Sequence, residues 1–353
     1  MDWATSGSRK EISNHHRARR LLAVSCFLCG ALLLTLAGCD TEGVVVSDDS
    51  SELETALRIL GSDSAILAHS DVEHEFSVMT DLISERGAGV EDLEQLMAEV
   101  YAHTGIQLDE NLHGAYFGVS ELEEDASGAL VAFVDFDQGA VIEKFLEESE
   151  VTSLDSQWPV DAYALGPHES AAVAFVEGTM VILSSDAEHL ELLLDRTYNE
   201  SAATLPSSQL FEEISEHYNW ALIRDIDAVL NSELDFNLDL EGEGSMLIPV
   251  VRSVRHIGVG VSTDGESFEM EMYLAPTSEI QAGDLKSVLS GVKGIARLQF
   301  HDNDELKALV EKFDIEESNG LVQVSIEVDR DDLENFENAF KSEFEGRKSR
   351  SER

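Results

Sequence analysis

The strictest constraint on the fold is the alternation of apolar and polar residues on both sides of two-residue turns. Alternate positions are apolar in 257–261, before Asp264-Gly265, and again in 268–274, after it. A turn at Asn319-Gly320 is followed in the same way by the alternating segment 322–328. Period two around Asp-Gly and Asn-Gly pairs is typical of antiparallel hairpins. Each hairpin is therefore expected to present one apolar and one polar face.

Hairpins of this kind lead into helical patterns, and the unit occurs four times. The first spans 115–136 and leads into a helix capped by Asp137. The second spans 171–183 and leads into Ser185-x-x-Glu188, the pattern of a capping box that opens the next helix. The sequence predicts an α+β fold, with antiparallel sheets built from repeated hairpin-plus-helix units and with the helices on one face.

Shifts in composition divide the chain into segments. Helical spacing precedes the first hairpin in three apolar groups: Leu53, Leu57 and Leu60; then Phe76, Met79, Leu82 and Ile83; then Leu93, Leu96, Met97, Val100 and Tyr101. We expect a leader in 1–38, a tether in 39–50, an N-terminal helical region in 51–104, a first α+β half in 105–218, a second in 219–345, and a polar, disordered tail in 346–353.

The first 39 residues have the order of an export signal. A basic stretch precedes an apolar core from Leu21 to Leu36, and the small residues Ala37 and Gly38 lead to Cys39. This Leu-Ala-Gly-Cys sequence resembles the lipobox of bacterial lipoproteins. An uncleaved transmembrane helix is the alternative, because about 18 apolar residues can also span a bilayer.

The resemblance to lipoproteins implies that residues 1–38 are removed and that Cys39 carries acyl chains, such as palmitate, on its sulfur and its new N-terminus. Each buried methylene is worth roughly 0.8 kcal/mol, so two or more chains anchor a soluble domain. We therefore expect a lipid anchor in the cell membrane, with the domain facing the periplasm or the exterior. Cys26 and Cys29 would leave with the leader, so the mature chain would contain no disulfide.

The chain is strongly acidic, with 71 Asp and Glu against 23 Lys and Arg and a formal charge of −48. Such a surface repels nucleic acids, so we expect no nucleic-acid partner. Three interpretations stay open: adaptation to a saline habitat, binding of divalent cations, and attraction to a basic or envelope protein partner. The acids are spread along the whole chain, which favours the first.

Three segments resemble uncharacterised exported α+β proteins of environmental bacteria: TGIQLDENLHGAYFGV (104–119), VAFVDFDQGAVIEKFL (131–146) and VAFVEGTMVILSSDAEHLELLLD (173–195). In those proteins a strand ending in an acidic pair leads into a helix, and a later hairpin ends in Ser-Asp. The resemblance implies an α+β fold over most of the mature chain. It implies no assigned activity and no catalytic residue.

An acidic segment of the second half is the best candidate for a cation site. Asp235, Asn237, Asp239 and Glu241 alternate with apolar residues and could present oxygen ligands to Ca²⁺. The EF-hand pattern is not met, because leucine stands at the sixth position, where that loop needs glycine. A strand with its apolar side chains inward explains the same spacing, so no metal is expected.

Other candidate residues receive structural interpretations. Three acidic pairs stand at element ends, where carboxylates cap helices: Asp135 and Asp137, Asp225 and Asp227, Asp302 and Asp304. The histidines show no zinc spacing, and the chain has no nucleophile elbow and no phosphate-binding glycine loop. Trp220 begins a strand-like run and is expected in the core, whereas Trp158 lies in a loop and is the more plausible ligand contact.

The leading hypothesis is therefore a non-enzymatic, membrane-anchored envelope lipoprotein with a binding or structural role and no cofactor. One alternative is a Ca²⁺-dependent adhesion or scaffold module that uses the acidic segment of the second half. A second alternative is an envelope hydrolase, which would need a serine, or a carboxylate pair with separated pKa values, gathered in one pocket.

Overall fold

The computed structural model describes residues 50–61, 64–72, 74, 101, 106–107, 111–120, 127–148, 151–166, 171–199, 208–224, 226, 252–263, 267–277, 280–301, 303–329 and 332. Twelve strands occur in these ranges: β1 Ile66–Asp71, β2 Leu112–Val119, β3 Gly128–Val134, β4 Val151–Ser153, β5 Asp161–Leu165, β6 Ala171–Val176, β7 Met180–Ser184, β8 Asn219–Ile223, β9 Val254–Thr263, β10 Ser267–Pro276, β11 Asp314–Ser318 and β12 Leu321–Asp329. Six helices accompany them: α1 Ser50–Leu60, α2 Gln138–Glu148, α3 Ala187–Tyr198, α4 Gln209–Ile214, α5 Ala282–Gln299 and α6 Asp304–Lys312.

All twelve strands join one antiparallel sheet in the order β11-β12-β10-β9-β8-β1-β2-β3-β7-β6-β5-β4. The α+β class and the antiparallel pairing predicted from the alternating pattern are therefore confirmed, in a single large sheet. Strands β2 to β7 of the first half are contiguous in the sheet, and so are β8 to β12 of the second half. Strand β1 lies between the halves, paired with β2 on one side and β8 on the other.

Two of the hairpins have tight turns whose residues adopt positive φ angles. Asn319 and Gly320 join β11 to β12 with φ values of 55° and 82°. Glu177 and Gly178, with φ values of 53° and 73°, begin the three-residue connection 177–179 between β6 and β7. Turns with positive φ at both central residues match the right-handed twist of the paired strands, and glycine and asparagine tolerate them best. The turn between β9 and β10 lies outside the described residues.

The helices cover both faces of the sheet, and β6 shows this most clearly. Ala172 and Ala174 belong to the core that includes the leucines of α3, whereas Val173 and Phe175 belong to a second core beneath α2. Alternate residues of a strand point to opposite faces, so α3 and α2 pack on opposite sides. The prediction of helices on one face was wrong, because it generalised from the polar alternation of β10 to strands whose two faces are both apolar.

The second half retains the asymmetry that the alternation predicted. Leu285 of α5 packs with Leu274 and Val322 on the apolar face of β10 and β12. Residues on the other face of these strands are polar, and they include Glu269, Glu271, Gln323, Ser325 and Glu327. We call this side of β9, β10 and β12 the polar face. It is the side on which α4 lies.

The segment 51–104 is not wholly helical. The first apolar group lies in helix α1, as predicted. Strand β1 follows this helix and lies at the centre of the sheet. The short sequence ILAHSD lacks a clean alternation, because it carries the polar His69 on the same helix-covered side as Leu67. Of the other two predicted helices of this region, only Tyr101 lies within the described residues.

Side-chain caps fix the starts of four helices, including α4, where Oγ of Ser208 accepts a hydrogen bond from the backbone N–H of Phe211 at 3.2 Å. Asp137 caps α2 as predicted, since its Oδ1 accepts a hydrogen bond from the backbone N–H of Ala140 at 3.1 Å. Helix α3 is capped by Asp186, at 2.7 Å from the N–H of His189, so the predicted cap at Ser185 was one residue early. Asn303 caps α6. No helix within the described ranges is both long and apolar enough to cross a membrane.

Candidate functional site

The richest polar cluster lies on the polar face, where His217 follows α4. Helix α4 turns Leu210 and Ile214 toward β9, and the ring of His217 lies directly over Gly260. A Cβ at Gly260 would stand 2.1 Å from Cδ2 of His217, and a Cβ at Gly258 would stand 2.7 Å from Cγ2 of Ile214. Both distances are far inside van der Waals contact. Glycine at these two positions is therefore what allows α4 and His217 to approach the sheet.

His217 connects four side chains into what we call the histidine network. Its Nδ1 lies 2.9 Å from Oγ of Ser262, and its Nε2 lies 3.3 Å from Oε2 of Glu271. The Tyr273 hydroxyl donates to the same Glu271 oxygen, and Gln323 Nε2 donates to Oε1 at 2.7 Å. Only 11% of the His217 side chain and 16% of the Glu271 side chain are exposed. The carboxylate is therefore enclosed by neighbours that can each satisfy it.

Strand register explains why these residues meet. Glu271 lies opposite Gly260, and Tyr273 lies opposite both Gly258 and Gln323. Residues two apart in a strand share a face, so Glu271 and Tyr273 both point toward α4. The alternation that makes β10 a half-buried strand thus also assembles the network.

Burial and negative charge together change the pKa of the Tyr273 phenol. Burial makes the largest contribution and raises the pKa of its phenol, the hydrogen bond to Glu271 raises the pKa further, and the charges of Glu213 and Glu216 add to the effect. The hydroxyl consequently stays protonated and remains a donor to Glu271. This part of the network acts as a fixed hydrogen-bond donor.

The order of contacts from Ser262 through His217 to Glu271 also has a chemical meaning. A serine hydroxyl next to an imidazole, which a carboxylate orients on its other nitrogen, is the arrangement that activates serine nucleophiles. The same contacts also hold the segment after α4 against β9 and β10. Both consequences follow from one geometry.

A second notable histidine, His69, lies near the centre of the sheet. Its ring stacks on Tyr116 with a centroid distance of 4.3 Å and lies 5.8 Å from the ring of Trp220. Burial lowers the pKa of His69 to about 4, and a hydrogen bond to the backbone of Tyr218 opposes the shift only in part. Its Nδ1 is buried and has no partner within the described part of the chain. His69 is therefore neutral at physiological pH and acts as a packed aromatic ring.

The two tryptophans selected from the sequence both have structural roles. Trp220 is 2% exposed and packs edge-on against Phe211, as expected for a core residue. Trp158 is partly buried against the same core, and its indole stacks on Tyr198 with an interplanar angle of 10°. One face of the Trp158 indole is thus already occupied by another ring.

The other sequence candidates fall outside the network. Asp135 lies 3.4 Å from the ring of His113 at the surface, and Asp304 lies in the first turn of α6. Several candidates lie outside the described residues: Cys39, Asp225, Asp227, Asp235, Asn237, Asp239, Glu241 and Asp302. No three His, Cys, Asp or Glu side chains among the described residues gather so as to hold a metal ion.

Sequence reasoning did not find the histidine network. His217 belongs to no metal-binding pattern, the alternation predicts only that Glu271 lies in a strand, and no pattern singles out Ser262. The available signal was the pair of glycines at 258 and 260 inside an otherwise regular strand, because such glycines mark a close approach by another part of the chain.

No family model matches the sequence. No curated protein matches it either. Solved structures of TP0453 are similar to it in three crystal forms, each with 10% sequence identity. Form III has a TM-score of 0.48 and covers 78% of this chain and 95% of that chain. Form IV has a TM-score of 0.45, with 76% and 92% covered, and form I has a TM-score of 0.43, with 79% and 94% covered.

Proposed function

We propose that this chain is a lipid-anchored envelope lipoprotein whose acidic α+β domain has a non-enzymatic binding or structural role. The observation that carries the proposal is the sequence Leu36-Ala37-Gly38-Cys39 at the end of an apolar leader. An acyl anchor at Cys39 needs no membrane-spanning helix in the domain that follows. The anchor and a folded acidic domain together define a protein that acts at a membrane surface.

The binding role rests on the charge of the domain. A formal charge of −48 creates a long-range negative potential, which attracts basic protein surfaces and repels nucleic acid. The polar face adds the exposed carboxylates of Glu269 and Glu327 to this potential. We therefore infer that the partner is a basic protein of the envelope.

Membrane fractionation of the full chain tests the anchor. Wild-type protein should partition with membranes and into the detergent phase, and Cys39→Ser should release it or leave an uncleaved precursor. Cys26→Ser is the matched control, because it removes a thiol from the apolar leader without touching the lipidated position. If Cys39→Ser and Cys26→Ser behave alike, with both chains processed and membrane-bound, the lipoprotein proposal fails.

The contacts of His217 with Ser262 on one ring nitrogen and with Glu271 on the other favour a second candidate function, that of a serine hydrolase. The test is labelling of the native protein with a fluorophosphonate probe, which modifies activated serines. Labelling that disappears in Ser262→Ala and persists in Ser325→Ala would establish this second function. The non-enzymatic proposal predicts no labelling of either serine, because the network serves to hold α4 against the sheet.

A further inference from the structure

Two neighbouring strands at the centre of the sheet each bury a polar atom that has no hydrogen-bond partner. Oδ1 of Asn219 in β8 and Oγ of Ser70 in β1 are both buried, and neither forms a hydrogen bond with any residue that the structure describes. The whole Asn219 residue is only 2% exposed. A buried polar atom without a partner costs its lost hydration, so each such atom in a folded protein calls for an explanation.

Strand register places these two side chains next to each other. Ser70 lies directly opposite Asn219 in the antiparallel pair of β1 and β8, so both leave the sheet on the same face. The Cβ atoms of such a pair are about 4.5–5.5 Å apart. Leu67 and Trp220 point to the other face, into the core with α1, α3 and α4, whereas α2 and α5 pack on the face of Ser70 and Asn219. One small molecule can therefore reach both polar atoms.

Small apolar side chains surround this polar pair. Ala115 of β2 lies opposite Ser70, and the next row across the sheet on the same face consists of Phe117, Ala68 and Ala221. The three alanines and the phenylalanine are partly exposed. The surface is therefore both low and accessible at the centre of the sheet. We call Ala68, Ser70, Ala115, Phe117, Asn219 and Ala221 the central floor.

The chemistry of the central floor fits a small, uncharged ligand. None of its side chains carries a charge, and none belongs to the apolar clusters that the described residues form. Small-molecule sites are mostly apolar, with a few polar groups that fix the orientation of the ligand. Asn219 Oδ1 can only accept a hydrogen bond, whereas the Ser70 hydroxyl can donate one. A ligand hydroxyl satisfies both atoms, but an ionised head would lose its hydration without gaining an opposite charge.

We propose that the central floor binds an uncharged amphiphile. Its apolar body lies on the alanines, and its hydroxyl donates to Asn219 Oδ1 and accepts from the Ser70 hydroxyl. This ligand accounts for two unpaired polar atoms at a place where apolar side chains would be more stable. The site goes beyond a protein partner at the acidic surface, and it does not depend on an anchor at Cys39.

Competition between two isomers tests the ligand hydroxyl. Residues 39–353 with Cys39→Ser keep every described residue and lack the apolar leader, which would itself take up the probe. N-phenylnaphthylamine, an uncharged dye that fluoresces in apolar sites, reports occupancy. Octanol should displace the dye at roughly fivefold lower concentration than heptyl methyl ether, its isomer without a donor, because one net hydrogen bond corresponds to about this factor. Octanoate and octylammonium should compete less well than octanol.

Two variants separate a binding role from a structural one. The double variant Ser70→Ala with Asn219→Leu should lose the preference for octanol, so that the two isomers displace the dye at equal concentrations. It should also melt at the same or a higher temperature than the wild type, because apolar groups replace unpaired polar ones. Ser325→Ala on the polar face is the control, and it should keep the wild-type preference.

Several results would overturn the proposal. Dye fluorescence that does not rise with the wild-type chain would show that the floor takes up no apolar molecule. Equal competition by octanol and the ether in the wild type would exclude the hydroxyl contact, and tighter binding of octanoate or octylammonium would exclude an uncharged head. A double variant that melts lower and keeps the preference would assign Ser70 and Asn219 to the fold alone.

Discussion

The two halves of the sheet are built from hairpins of the same kind, but their faces are covered differently. In the first half both faces of β6 are apolar, and α2 and α3 enclose them so that Leu190, Leu193 and Leu194 are fully buried. In the second half one face packs beneath α5, and the other carries the histidine network. Apolar burial covers both faces of β6 in the first half, whereas the second half combines apolar packing beneath α4 with a polar network and leaves α5 partly uncovered.

The largest effect that we predict is in the core of the first half. Leu193→Ala should lower the free energy of unfolding by about 3 kcal/mol, because it empties a fully enclosed site. Leu289→Ala in α5 removes the same atoms from a partly buried site, so its cost should be about half as large. Urea denaturation measures both variants. Equal costs would remove the distinction between the halves.

A side chain at position 260 of the polar face should lower the stability of the protein. Gly260→Ala should cost about 2 kcal/mol, because its methyl group occupies the space of the His217 ring. In a His217→Ala background the same change should cost little, since the obstructing ring is gone. Thermal unfolding of the two single variants and the double variant measures the coupling. Additive costs would show that His217 does not lie over Gly260.

Between the halves, His69 should make stability depend on pH. Its folded pKa of about 4 lies below its ordinary value of 6.5, so the unfolded chain binds the proton first and stability falls as pH decreases from 6.5 toward 4. By pH 5.5 the loss should be about 1.4 kcal/mol. His69→Phe keeps an aromatic ring and should lose this part of the pH dependence. An unchanged profile in that variant would contradict the burial of a neutral His69.

The smallest effect concerns the two tight turns. Glu177 in the first half has a positive φ, as Asn319 has in the second half. Glutamate is less stable in this backbone conformation than asparagine. Glu177→Asn should therefore stabilise the protein by about 0.5–1 kcal/mol. The reciprocal change Asn319→Glu should destabilise it by a similar amount. Calorimetric melting temperatures of the pair test whether the turns are equivalent.

The sequence allowed good prediction wherever a local pattern determines structure. Alternation of apolar and polar residues predicted β9, β10 and β12, and Asn319-Gly320 predicted the turn before β12. Local pattern could not reveal β1, because its six residues place the polar His69 on the same side as Leu67 and so break the alternation. The uninterrupted apolar run AAVAFV of β6 indicates that both of its faces are covered, but it does not indicate which element covers each face. The histidine network needed the register of three strands, which the sequence does not specify.

The chemical state of the N-terminus tests the proposed lipid anchor most directly. Intact mass spectrometry of the chain purified from membranes of its native host should find a protein that begins at Cys39 and carries acyl chains on that residue. A chain that retains residues 1–38, or one whose Cys39 sulfur is unmodified, would contradict the proposed lipid anchor.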